Sequence, residues 1–165
     1  MKLETIQAGR ITGVHGIRGE LRVLPRDGDP DFLTRFRTFY MDGQPVTPAA
    51  CRVHKGTVLM KLPGVEDRTA AEALRGKDLY IRREDADLPD GEWFDDELLG
   101  LEVYNGETGE CVGELTAVET YPASKVYTIR GVKEFMVPAV KDAFILSIDM
   151  ENNRMDIRVW EGLDA

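Results

Sequence analysis

The sequence predicts a mainly β protein made of two small barrels, and three observations lead there. Short runs of alternating apolar and polar residues recur along the chain, separated by Gly, Pro, Asn and Asp turn signals. No heptad pattern, fixed-period repeat or low-complexity tract competes with them. The alternation lapses once, where EDADLPDGEWFDD at 84–96 gathers seven acids together with Pro89 and Gly91. That break reads as a linker at 85–96 between an amino-terminal domain at 1–84 and a carboxy-terminal domain at 97–165.

Thr5 to Thr12 is expected as the first strand, followed by a mobile, glycine-rich loop in which Gly13, Gly16 and Gly19 punctuate GVHGIRG. ELRVLP at 20–25 resumes the period of two, with Leu21, Val23 and Pro25 on one face. In DGDPDFLTRF a turn leads into a short amphipathic segment, where Phe32, Leu33 and Phe36 share a helical face and read as a lid over a barrel end. Strands are expected at 38–41, 49–54 and 57–62, the first two separated by the turn DGQP and the last two by Lys55-Gly56. Thr69, three residues before Glu72, reads as a capping box opening a helix that Gly76 stops. DLYIRR completes six strands, a set suited to a closed barrel because closure removes exposed edges.

Six more short strands follow the linker: LEVYN, CVGELTAVET, KVYTIRG, EFMVPAV, ILSIDM and RMDIRVW. The apolar stretch Met136 to Val140 is read as core. Since both halves can close their own edges, a monomer is expected.

Net charge is −9, yet the two halves differ in sign. Met1 to Arg83 carries 15 Lys and Arg against 10 Asp and Glu, whereas Glu84 to Ala165 carries 6 against 20. One half can therefore approach phosphates while the other suits a basic protein. The opening MKLETIQAG lacks a signal peptide's basic flank and apolar run, and no apolar run reaches the length of a membrane span, so a cytoplasmic location without membrane attachment is expected. Cys51 and Cys111 have no companion thiol or nearby histidine and read as reduced structural thiols rather than metal ligands.

Catalysis has little to work with. His15 and His54 are the two histidines; His54 reads as a strand-end surface residue, and His15 has no oriented partner beyond an acid such as Glu20. An RNA-modifying or RNA-cleaving enzyme built on His15 is the weaker alternative. GVHGIRG has no GKS or GKT ending and precedes a strand, which argues against a nucleotide loop, and Asp27, Asp29 and Asp31 explain a turn better than a calcium site. No catalytic, cofactor or metal residue is assigned.

Contact surfaces remain. Arg10, His15, Arg18 and Arg22 lie on or beside the first hairpin and could meet an RNA backbone, or they could simply solvate an edge. Trp93 and Phe94, inside the acidic linker, are either docking anchors for the second domain or a hot spot for a partner protein.

GRITGVHGIRGELRV at 9–23 resembles the opening signature of the ribosome maturation factor RimM family. The resemblance continues through LPGVEDRTAAEALRGKDLYI, EWFDDELLGLEV, GECVGELTAV, YPASKVYTI, EFMVPAVKDAFILSID and the closing VWEGL, in order and over nearly the whole chain. It implies an amino-terminal six-stranded β-barrel of translation-factor type followed by a PRC-barrel. It also implies a non-catalytic assembly factor without cofactor, which binds the small (30S) ribosomal subunit or its precursor through a ribosomal protein of the head, S19. Such a factor aids late head maturation and 16S rRNA processing. The family's paired aromatics for head-protein contact fall on Trp93 and Phe94, usually two tyrosines, so two hydroxyls are lost here. Family members often carry aspartate where this chain has Lys125, so a salt link or turn contact at that point is expected to be missing. A PRC-barrel adaptor with partners unrelated to ribosomes is the third reading.

Overall fold

The computed structural model describes residues 1–160 and divides the chain into two compact units. One is Glu4–Pro89; the other runs from Asp90 onward and includes Met1–Leu3. The final residues of the VWEGL block lie outside the described residues.

The first unit contains β1 (Thr5–His15), β2 (Glu20–Pro25), helix α1 (Pro30–Leu33), β3 (Phe39–Met41), β4 (Gln44–Val46), β5 (Ala50–His54), β6 (Thr57–Lys61), helix α2 (Arg68–Glu72) and β7 (Asp78–Arg82). Its hydrogen-bonded order is β4-β3-β7-β1-β2-β6-β5. The expectation of six strands in a closed barrel is thereby corrected twice. The DGQP segment is itself half strand: Asp42-Gly43 form a two-residue hairpin loop at φ 52° and 78°, with Met41 opposite Gln44. Pro45 sits in the resulting edge strand, where its missing N–H costs no ladder bond. With β4 and β5 as the two ends of the ladder, the sheet curls without closing, which removes the argument for a monomer from closed edges.

Ile11, Leu21, Val23, Phe39, Leu79 and Ile81 are fully buried in this unit, each such side chain contributing about 1.5–3 kcal/mol relative to exposure. Alternation along β2 places Leu21, Val23 and Pro25 inside as expected. Helix α1 is only one turn long and buries Leu33, while the Phe32, Phe36 and Phe39 rings pack edge to face beside it. Helix α2 starts earlier than the capping-box reading: Asp67, in extended backbone, accepts from the Ala70 N–H at 2.8 Å, and Thr69 lies inside the helix. Its carboxylate reaches the third N–H, so the cap falls two residues before Thr69.

The second unit contains helix α3 (Asp95–Leu98) and six strands: β8 (Glu102–Asn105), β9 (Cys111–Thr120), β10 (Lys125–Arg130), β11 (Glu134–Pro138), β12 (Ile145–Asp149) and β13 (Arg154–Ile157). Their order is β11-β10-β9-β8-β13-β12, antiparallel except for the parallel pair β13 and β8. Leu101, Val103, Leu115, Ile129, Val137, Met155 and Ile157 form the centre of its core. The reading of Met136 to Val140 as core is corrected: Val137 is buried, but Met136 and Val140 are 55% and 43% exposed. On an edge strand with one face inward, only alternate residues can be core. Both cysteines are free thiols; partial burial raises the Cys51 pKa, while Cys111 is exposed. Among the described residues no helix is long and apolar enough to cross a membrane.

Candidate functional site

The first hairpin is longer and tighter than its glycines suggested. His15 belongs to β1, opposite Glu20, rather than to the loop, which shrinks to 16–19. A register shift between Ile11 and Gly13 lets the strand continue through that glycine. The turn is held in place. Gly19 takes φ +84°, and a Cβ there would lie 2.6 Å from the Val65 carbonyl oxygen. The Lys61 ammonium donates to the carbonyls of Arg18, at 2.6 Å, and of Val65. The expected mobile loop is therefore a pinned turn, with Ile17 79% exposed at its tip.

The four hairpin candidates separate. Arg10 is committed: its guanidinium donates to Asp78 at 2.7 Å across the β1–β7 ladder, which raises its pKa. Arg18 is exposed at the turn. Arg22 makes no ion pair among the described residues, and its guanidinium lies beside Gly13, with that of Arg75 close by. Arg75 in turn donates to Glu72.

His15 is paired with a residue that sequence reading set aside. The rings of His15 and His54 lie 5.2 Å apart and tilted by 58°. Arg52 and His54 alternate onto one face of β5, and β6 carries that face to β2, since Leu59 stands opposite both Arg22 and Arg52. The His54 pKa is lowered by desolvation first, then by the positive surroundings of His15, Lys55, Arg52 and Arg22. Arg52 also reaches Glu20 at 3.5 Å. The Lys55-Gly56 hairpin signal was legible in the sequence; which strand β5–β6 would lie beside was not.

In the second unit, Trp93 is half-buried and packs on the core cluster. It also lines a groove of about 620 Å³ with Asp95, Lys125, Tyr127, Val140 and Ile148. Phe94 precedes α3 as its N-cap residue. Having no polar side chain, it relies on Glu97, whose buried carboxylate accepts from the Phe94 N–H at 3.0 Å and the Leu3 N–H at 2.9 Å. The Lys125 ammonium donates to both oxygens of Asp95 at 3.0 Å. Lys125 thus makes a salt link of its own at the position where the aspartate's salt link or turn contact is expected to be missing. Tyr127 is 8% exposed, and its pKa is raised by desolvation and then by Asp95. Among the described residues no cluster of three or more His, Cys, Asp or Glu is placed to hold a metal.

The two units coincide with two sequence families. The model of the RimM N-terminal domain matches residues 6–86, and that of the RimM PRC barrel domain matches residues 95–163. This chain belongs to the RimM family. A ribosome maturation factor RimM from Clostridioides difficile is 33% identical over 168 residues, covering 98% of this chain and 97% of the relative. One from Symbiobacterium thermophilum is 34% identical over 167 residues, covering 97% and 94%. The solution structure of the N-terminal domain of RimM from Thermus thermophilus is 26% identical, with a TM-score of 0.45, covering 55% of this chain and 100% of that one. The architecture is accordingly a curled amino-terminal β-sheet and a PRC-barrel-like carboxy-terminal domain. RimM proteins are non-enzymatic factors of ribosome assembly and 16S rRNA processing, which removes the enzyme reading of His15.

Proposed function

We propose that this RimM chain works on the 30S subunit or its precursor in the cytoplasm, with its two domains, 1–84 and 97–165, dividing the contacts across the linker at 85–96. The second domain meets ribosomal protein S19 of the head through Trp93 and Phe94. The hairpin face, with His15, Arg18 and Arg22 foremost and Arg10 at its side, meets adjacent 16S rRNA. Binding favours one arrangement of the immature head over others, which requires only that affinity differ between them. No bond is made or broken.

The observation carrying this reading is the Trp93 groove: a large aromatic, half-buried on the core, beside open space in a strongly acidic domain. Aromatic anchors in partly formed pockets concentrate binding energy, and acidic surroundings speed encounter with a basic protein. The test is co-sedimentation of the full chain with mature and immature small subunits, and direct binding to purified S19. Selective association with immature subunits, weakened at least tenfold by Trp93→Ala with Phe94→Ala while circular dichroism stays native, is the expected result. Equal sedimentation of that variant removes the aromatic contact; absence of any association at low salt removes the direct role on the subunit.

A further inference from the structure

The His15 and His54 rings stand in an electrostatic setting that a structural pair would avoid. The His15 ring, 5.2 Å away, is among the groups that oppose protonation of His54. The elements around them add further charge. From β2 come Arg22 and Glu20, from β5 Arg52, from the turn after it Lys55, from β6 Lys61, and from α2 and the turn after it the ion-paired set Arg68, Glu72 and Arg75. The carboxylates in this set are already engaged by guanidinium groups, Glu20 with Arg52 and Glu72 with Arg68 and Arg75. Lys61 is turned toward the Arg18 and Val65 carbonyls and toward Glu66. Arg22 is left without an ion pair among the described residues. The face thus holds a surplus of positive charge beside His54, whose imidazolium form it disfavours.

An anion arriving here reverses the local balance. A phosphate beside the pair favours the His54 imidazolium that the free protein disfavours, so binding and proton uptake reinforce one another. An RNA backbone fits this better than a single phosphate ion, because the cations are strung over three strands: Arg22 on β2, His15 on β1, and Arg52 with His54 on β5.

We propose that His15, His54, Arg22 and Arg52 form one phosphate-binding face for RNA, and that RNA binds there together with at least one proton. This rests on the RNA-contact reading above and deepens it, by moving the site from the turn tip to the sheet face and making it pH-dependent. The sign follows from linkage. The free protein holds the His54 pKa below 6.5 and bound phosphate raises it. Affinity therefore grows as pH falls through the bound-state value and levels off once both states are protonated. Phosphodiesters do not titrate in this range, so the slope belongs to the protein.

The test uses the full chain and a fluorescein-labelled transcript of the 16S rRNA head domain, measured by anisotropy from pH 8 to pH 6 at constant ionic strength. The expected result is an affinity gain of about fivefold to tenfold on acidification, since one pKa unit of coupling is a tenfold effect. His54→Gln should flatten that rise. Calorimetry in buffers of different ionisation enthalpy should show net proton uptake by the parent chain and less by His54→Gln. Circular dichroism confirms that the variants fold. Binding that is independent of pH, yet weakened by Arg22→Ala, overturns the proton linkage and leaves the RNA contact standing. Binding that rises on acidification equally in His54→Gln also overturns it. No binding to the transcript at any pH removes the proposal and the RNA contact together.

Discussion

The β1–β2–β5 face of the first unit and the Trp93 groove of the second use charge in opposite ways. On the first, acids are spent on neighbouring guanidiniums and the face keeps a surplus of cations, Arg22 among them. In the second, acids outnumber cations, but Asp95, at the groove, is held by Lys125, and Glu97, in the same short helix, is buried as the acceptor for two backbone N–H groups. A chain of net charge −9 can thus present a positive face, because net charge sums over surfaces that partners meet one at a time. The comparison also separates two kinds of contact, a distributed electrostatic one and a concentrated aromatic one.

The strongest way to break that division is to ask whether the units unfold separately. Ile11 in the first and Ile129 in the second are both fully buried, and replacing either by alanine should cost about 2–5 kcal/mol. Both tryptophans, Trp93 and Trp160, lie in the second half, so their fluorescence reports that unit. Ile129→Ala should lower the urea midpoint seen by fluorescence, whereas Ile11→Ala should lower only part of the circular dichroism transition. A matching fluorescence shift from Ile11→Ala would mean that the chain unfolds as one body.

Glu97→Ala tests whether acids near the groove are structural. Two backbone donors lose their acceptor in a buried setting, and the expected loss is about 2–3 kcal/mol in the fluorescence-detected transition. A change under half that size would assign those N–H groups other acceptors.

The two turn glycines sharpen the picture of the cationic face. Gly16 and Gly19 both have positive φ, but only at Gly19 does a Cβ meet backbone. Gly16→Ala should cost about 1 kcal/mol from its backbone conformation. Gly19→Ala should cost about 2–3 kcal/mol, because the Val65 segment must also shift. Equal losses would argue that the turn is not pinned against that segment.

The smallest effect belongs to Lys125→Asp, which sets a carboxylate beside Asp95. Both partners are partly exposed, at 43% and 28%, so the stability loss should stay below about 1 kcal/mol and shrink as salt rises. Urea titrations at low and high ionic strength read it directly. A loss that does not respond to salt would point to packing rather than charge.

Much of the fold was legible because its signals are local. The Lys55-Gly56 hairpin, the alternation of Leu21 and Val23, and all six strands of the second unit follow from periodicity and turn chemistry. Asp42-Gly43 carried the same kind of signal, yet the three-residue strand it opens was hidden by Pro45, a residue that excludes a central strand and suits an edge. The cap of α2 was misplaced because Asp67 and Thr69 are both good cap residues, and local sequence does not choose between them. Of the candidate site residues, Arg10 and Arg22 look alike in sequence; only the presence of Asp78 across the ladder distinguishes them.

By itself the sequence determined the β class, the two-part organisation, the opposite charge of the halves and membership in the RimM family, since each depends on composition, period or motif order along the chain. Tertiary structure decided which residues act together. His54 comes 39 positions after His15 and meets it only because β5 pairs with β6, β6 with β2, and β2 with β1. The open ends of the first sheet, the capture of Lys125 by Asp95 and the burial of Glu97 share that origin. Strand order and side-chain partners are non-local, and neither periodicity nor spacing encodes them.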